Sequence, residues 1–102
     1  MSEMIALDDL DLLDGGDLKA VFDQLPLEEV VAALWGANAS LRGRLLRKLS
    51  RRHAQPIEQA IAATEQLSFE QVREAQQRMV AQLCRLSRSG QIAFDVPEDM
   101  AA

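Results

Sequence analysis

The chain has 102 residues, of which 48% are hydrophobic and 26% charged, with a net charge of −5. That length suits one compact domain, and the composition excludes a wholly disordered chain. No apolar run approaches the roughly 20 residues of a membrane helix, and the acidic N-terminus is unlike a targeting peptide. A single cysteine, Cys84, excludes an internal disulfide and a cysteine-ligated zinc site, which points to a reducing, cytoplasmic setting.

Residues 5–13 form a short apolar stretch studded with acids, and Gly15-Gly16 after Asp14 predicts its stop. Residues 17–25 predict a helix, because Leu18, Val21, Phe22 and Leu25 fall on one face at i, i+3, i+4 and i+7. Pro26 suits the first turn of a third helix, Glu28 and Glu29 favour its positive dipole end, and Gly36 closes it. Asn38 predicts the N-cap of a fourth helix. Its inward stripe is Leu41, Leu45, Leu46 and Leu49, so Arg42, Arg44, Arg47 and Lys48 point largely outward. Ser50 caps a fifth segment that runs to about Thr64. Pro56 predicts a break near Gln55, or a helix that begins there, because an interior proline costs about 3 kcal/mol. Ser68 with Gln71 forms a capping box for the last helix. Val72, Met79, Leu83 and Leu86 line its inner side, with Ala75 and Val80 flanking. Ser89-Gly90 ends it, residues 91–94 read as a short extended return, and residues 95–102 as a frayed tail. The pattern is all-α, with six short helices and tight turns.

Charge is segregated along the chain. Residues 1–36 carry nine acids and one base, residues 37–55 carry six bases and no acid, and residues 56–102 carry seven acids and four bases. Such a chain either packs its acidic start beside its basic middle or offers the basic stretch to a partner. Six bases would suit phosphates, but the acidic total and the lack of interleaved aromatics disfavour nucleic acid. Catalysis is poorly supported. Cys84 lies in an amphipathic pattern and reads as a small core residue, and His53 lies among arginines, where a surface or packing role is expected. Asp8, Asp9, Asp11, Asp14 and Asp17 lack the spacing of a calcium loop and read as helix-start acids. No metal or cofactor is implied.

The order of residues nonetheless resembles a known domain. The FliG C-terminal domain opens with a Met-Phe-Val-Phe hinge followed by Glu-Asp-Leu; here the same place reads Met4-Ile5-Ala6-Leu7-Asp8-Asp9-Leu10. The family then carries Leu-x-Gly-Ala-Ser, Leu-Arg, an apolar pair and Ser-x-Arg. This chain reads Leu34-Trp35-Gly36-Ala37-Asn38, Leu41-Arg42, Leu45-Leu46 and Ser50-Arg51-Arg52. The family's last helix has Val-x-x-Ala-Gln, Arg-Leu and Gly-Glu-Ile, matched here by Val72-Arg73-Glu74-Ala75-Gln76, Arg85-Leu86 and Gly90-Gln91-Ile92. Each motif alone is helix punctuation; their shared order over nearly the whole chain carries the resemblance.

The resemblance implies a compact right-handed bundle of about six short helices over residues 1–94, with residues 4–10 as a hinge-like first segment. It implies a non-enzymatic rotor and switch module for motility and chemotaxis, in the cytoplasm and at the inner face of the membrane, whose partners are a stator cytoplasmic loop or other rotor proteins. The chain starts at the hinge, so the family's preceding rotor-anchoring domains are expected to be missing. The partner-facing charges carry over one position at a time. The family's lysine before the Gly-Ala turn is Trp35, the arginine of Ser-x-Arg is Arg52, the two adjacent acids are Gln59 and Ala60, and the arginine after the next turn is Ser68. One of the five charges survives, so altered stator contact is implied. Glu58 lies one residue before the lost acidic pair, about 100° round the helix, and Arg51 beside Arg52 offers a second positive charge. Two readings stand for Trp35: an exposed hot spot in an aromatic–basic patch with Arg52 and Arg51, or a residue tucked into the core or over a helix end. Two also stand for Met4, Ile5, Ala6 and Leu7: a cover for the core, or an arm exchanged in a swapped dimer. The chain is thus expected to be a monomer, or a weak or domain-swapped dimer. An adaptor in a secretion or signalling assembly is the alternative function.

Overall fold

Asp14 begins the first α-helix instead of ending a turn. Its carboxylate accepts the Asp17 N–H at 2.8 Å, and Gly15 and Gly16 lie in the first turn that follows. The computed structural model describes residues 7–91. An opening 3-10 helix (Leu7–Leu12) leads to α1 (Gly15–Asp23), α2 (Leu27–Trp35), α3 (Ala39–Lys48), α4 (Arg51–Ala63) and α5 (Phe69–Arg88). The fold is all-α, with six helices and no strand among the described residues. Residues 1–6 and 92–102 fall outside the description. The predicted return at 92–94, the tail and most of the hinge-like segment therefore lie there as well.

Gly15 is required by close approach. A Cβ there would lie 2.2 Å from the Lys48 carbonyl oxygen, so α1 starts directly against the end of α3. Pro26 sits one residue ahead of α2 as its N-cap. Gly36 ends α2 with helical angles, and a Cβ on it would lie 2.2 Å from a methyl of Val72. That glycine lets the end of α2 press on α5. Asn38 caps α3 by accepting the N–H groups of Ser40 and Leu41 at 2.7 and 3.4 Å. The Ser68–Gln71 capping box opens α5, and Gly90, at φ 80°, follows its C-cap.

Pro56 does not break α4, which runs unbroken through it. The proline removes the N–H that would reach the Arg52 carbonyl. Both residues are exposed on one side of α4, so water takes the place of the lost partner. The buried side of the helix, Ala54 and Ile57, keeps its packing.

α2 is the centre of the bundle. It packs on α5 and α4, while α1 joins α5 to α3 and the opening helix lies on α3 and α5. The core takes Leu10, Leu18, Val21, Val30, Leu34, Leu45, Met79, Leu83 and Leu86, all essentially inaccessible to water. Each such side chain stabilises the fold by about 1.5–3 kcal/mol relative to exposure. Ala54 and Ile57 of α4 join the same core, so every α-helix contributes, as the apolar spacing predicted, although Val72 and Leu46 are only half-buried. Cys84 is half-buried beside the same core.

Candidate interaction site

The connection between α4 and α5 lies over α2 and divides an apolar face into two hollows. One, of about 430 Å³, is lined by Trp35 and Gly36 from the end of α2, by Leu67 of the connection, and by Phe69, Val72 and Arg73 of α5. The other, of about 310 Å³, is lined by Leu27, Glu28 and Val31 of α2, by Ala60 and Thr64, and again by Leu67. Two large apolar residues on this face are open to water: Phe69 is 79% exposed and Leu27 is 51% exposed. Phe69 is placed by the capping box. Ser68 accepts the Gln71 N–H at 3.0 Å, which fixes Phe69 as the first residue of α5 and turns it outward.

Trp35 answers to neither of its two sequence readings in full. It is half-buried, it ends α2, and its carbonyl accepts a hydrogen bond from Arg42 at 3.2 Å. Its side chain borders the larger hollow instead of entering the core. Ala60 borders the smaller hollow, and Ser68, the N-cap of α5, lines neither. Trp35 and Ala60 thus border neighbouring hollows that share Leu67. Arg52 does not: it lines a separate groove of about 290 Å³ with Phe22, Leu25, Leu27, Leu49 and Ile57. Trp35 and Arg52 share no hollow. Gln59 is exposed on α4, one residue from Ala60. Arg51 and Glu58 line a further groove of about 390 Å³ with Arg47, and form no ion pair with each other. Leu7 packs against the core, as a cover would; Met4, Ile5 and Ala6 are outside the described residues.

The expectation that α3's bases point outward holds for Arg44 and Arg47, which are exposed, but not for Arg42 and Lys48, which are half-buried. Arg42 is half-buried and donates to the carbonyls of Leu34 and Trp35, both at 3.2 Å, so it caps the end of α2. Lys48 donates to the carbonyls of Asp11 and Leu13, the latter at 2.8 Å, and lies 3.4 Å from the Asp11 carboxylate. Arg44 bonds Asp11 at 2.9 Å. The Arg44 guanidinium holds the Asp11 carboxyl below its usual value; partial desolvation opposes this and Lys48 adds to it. Arg47, Arg51 and Arg52 are exposed, as is Arg44 despite its bond to Asp11. His53 is exposed and its Nδ1 shares a 2.7 Å hydrogen bond with the Ser50 hydroxyl. Among the described residues no helix is long and apolar enough to cross a membrane, and no cluster of potential metal ligands forms.

Sequence reasoning missed Phe69, Leu27 and the capping role of Arg42. Phe69 carried a signal: it lies about 80° from the centre of the α5 core stripe at 100° per residue. Arg42 carried one too, because only two residues, Ala37 and Asn38, separate Gly36 from α3 and so bring its first turn beneath the end of α2.

Residues 1–94 match the family model of the FliG C-terminal domain. No curated protein matches the chain.

Proposed function

We infer the function from one premise: the chain belongs to the FliG C-terminal domain family. It is a protein–protein interaction domain of the flagellar motor switch type, from a family of structural and not enzymatic domains. Its contact with the partner is apolar where the family's is charged. The observation that carries this reading is that uncharged Trp35 and Ala60 border two hollows sharing Leu67, beside an exposed Phe69. Large aromatics in such a setting are the side chains most often found at binding hot spots. Arg52, Arg51 and Glu58 lie on α4 in separate grooves, and Gln59 is exposed beside Ala60. Steering by opposite charges, which would weaken with salt, gives way to burial, which salt affects little. The family match supports a domain spanning residues 1–94. Its setting is the cytoplasm.

The test is capture of partners by the tagged chain from source-organism lysate, with and without nuclease. Rotor or stator proteins retained at high salt by the native chain and lost with Trp35→Ala support the reading. Retention that depends on Arg52 and falls steeply with salt overturns it in favour of charge-based coupling. Recovery of an unrelated assembly through the same face favours the adaptor function, for which the loss of four family charges is the supporting observation. Binding abolished by nuclease would point to nucleic acid. Against that outcome, Arg42, Arg44 and Lys48 are already engaged within the fold.

A further inference from the structure

The groove that holds Arg52, about 290 Å³, is apolar inside and cationic at its edge. Phe22 of α1, Val30 of α2 and Ile57 of α4 line it and are buried, so it opens directly onto the core. Leu27, 51% exposed, is its open apolar wall. Arg52 and His53 supply the polar edge. Two further charges line the groove, Lys19 and Asp23, and these hold each other at 2.7 Å. Arg52 has no ion pair among the described residues. An acidic and apolar segment is therefore the chemistry that this groove fits.

The chain carries such a segment, and α5 delivers it beside the groove. Arg85, in the last turn of α5, donates to the Gln24 side chain at 2.8 Å. Gln24 stands between Asp23 and Leu25, both of which line the groove. Eleven residues follow Gln91, with three acids, Asp95, Glu98 and Asp99, and no base. Extended, they reach about 36 Å, roughly three times the width of a helix. In an extended stretch Ile92, Phe94 and Val96 share one side, and Pro97 favours that backbone at Val96. We propose that residues 92–102 cover the groove of their own chain, with Phe94 against Phe22 and Ile57 and with Glu98 and Asp99 at Arg52. Arg52 is the one partner-facing charge that the resemblance retains, so a partner that needs it must first displace the tail. This regulation of Arg52 is independent of the face around Leu67.

Paramagnetic broadening of amide signals in the full chain tests this. A nitroxide is attached at Ala101→Cys, with Cys84→Ala so that a single thiol is labelled. The amide signals of Arg52, His53 and Ile57 should lose most of their intensity. Phe94→Ser should restore it, and so should Arg52→Glu at low salt. Arg52 is exposed, so its replacement leaves the helices folded, which circular dichroism of each variant checks. Full intensity at all three groove signals overturns the proposal. So does broadening that neither Phe94→Ser nor Arg52→Glu relieves, because a tail held by nothing in the groove would sweep past it equally in every variant. Mixing nitroxide-bearing chains with isotope-labelled chains that carry no nitroxide separates two sources. Broadening in the latter would seat one copy's tail on another copy and overturn the cover within one chain.

Discussion

The two sides of the bundle treat their polar and apolar groups in opposite ways. Between the opening helix and α3, charge is turned inward: Arg44 and Lys48 hold Asp11, Lys48 closes on backbone carbonyls, and Arg42 caps α2. Around the α4–α5 connection, apolar surface is turned outward at Phe69 and Leu27 and hollows form beside Trp35 and Ala60. The first side resembles an interior fastening. Arg42 and Lys48 are half-buried and Arg44 is exposed, and all three are multiply bonded, so their removal acts on stability. The second resembles a contact surface, whose exposed aromatic does little for the isolated fold. Part of the charge segregated in the sequence therefore serves the fold, through Arg42, Arg44 and Lys48.

This contrast can be broken by measurement. The largest loss is expected for Leu45→Ala on α3, a fully buried residue, at about 2–5 kcal/mol by urea unfolding. Phe69→Ala should stay within about 0.5 kcal/mol in the same assay. Equal losses would erase the distinction between the sides. Next comes Gly15→Ala, whose new methyl would collide with the Lys48 carbonyl. Overpacking of this kind costs about 1–3 kcal/mol; a neutral result would mean that α1 and α3 separate at no cost. Arg42→Met keeps an apolar stem but leaves two carbonyls at the end of α2 without their donor. A loss of about 1–2 kcal/mol is expected, with amide exchange quickened in the last turn of α2. An unchanged exchange rate there would show that Arg42 is an ordinary surface arginine.

Most of the fold is legible in the sequence, because it depends on local rules. Asn38, Ser68 with Gln71, and Gly90 mark helix ends through backbone hydrogen bonding alone, and the leucine spacing marks the inward faces. The misread positions depend on neighbours distant in sequence. Gly15 and Gly16 look like a stop until Asp14 is seen as a cap and Lys48 as the wall behind. Pro56 looks like a break until its side of α4 is seen to face water. Arg42 and Lys48 look free until the ends of α2 and of the opening helix are placed beside them. The candidate site was legible in part. Trp35 and Ala60, named from family position, border two neighbouring hollows that share Leu67, whereas Arg52 lines a groove without Trp35. Phe69 was passed over because exposure of an aromatic is set by which neighbours are missing, and a sequence does not display missing neighbours.

The smallest effect belongs to Asp11, and it sharpens the contrast through its dependence on pH. Arg44 and then Lys48 lower its carboxyl pKa from the ordinary value of 3.8, against partial desolvation. A carboxyl with a lower pKa folded than unfolded binds protons more readily in the unfolded chain. Its contribution to stability is complete above about pH 4 to 5, where both states are ionised, and is lost as the pH falls through the lowered folded value. Asp11→Asn removes the charge at every pH. The native chain should therefore be the more stable of the two at pH 7, and the gap in urea midpoint should close on acidification below the ordinary carboxylate range. A gap that persists in acid would show that Asp11 acts through its neutral hydrogen bonds and shape. A gap absent at pH 7 would show that Arg44 and Lys48 find equivalent partners elsewhere, and that the inward-turned charge of this side is not what fastens the opening helix to α3. High salt should narrow the gap at pH 7 only in part, since Lys48 is shielded by the carbonyls that surround it.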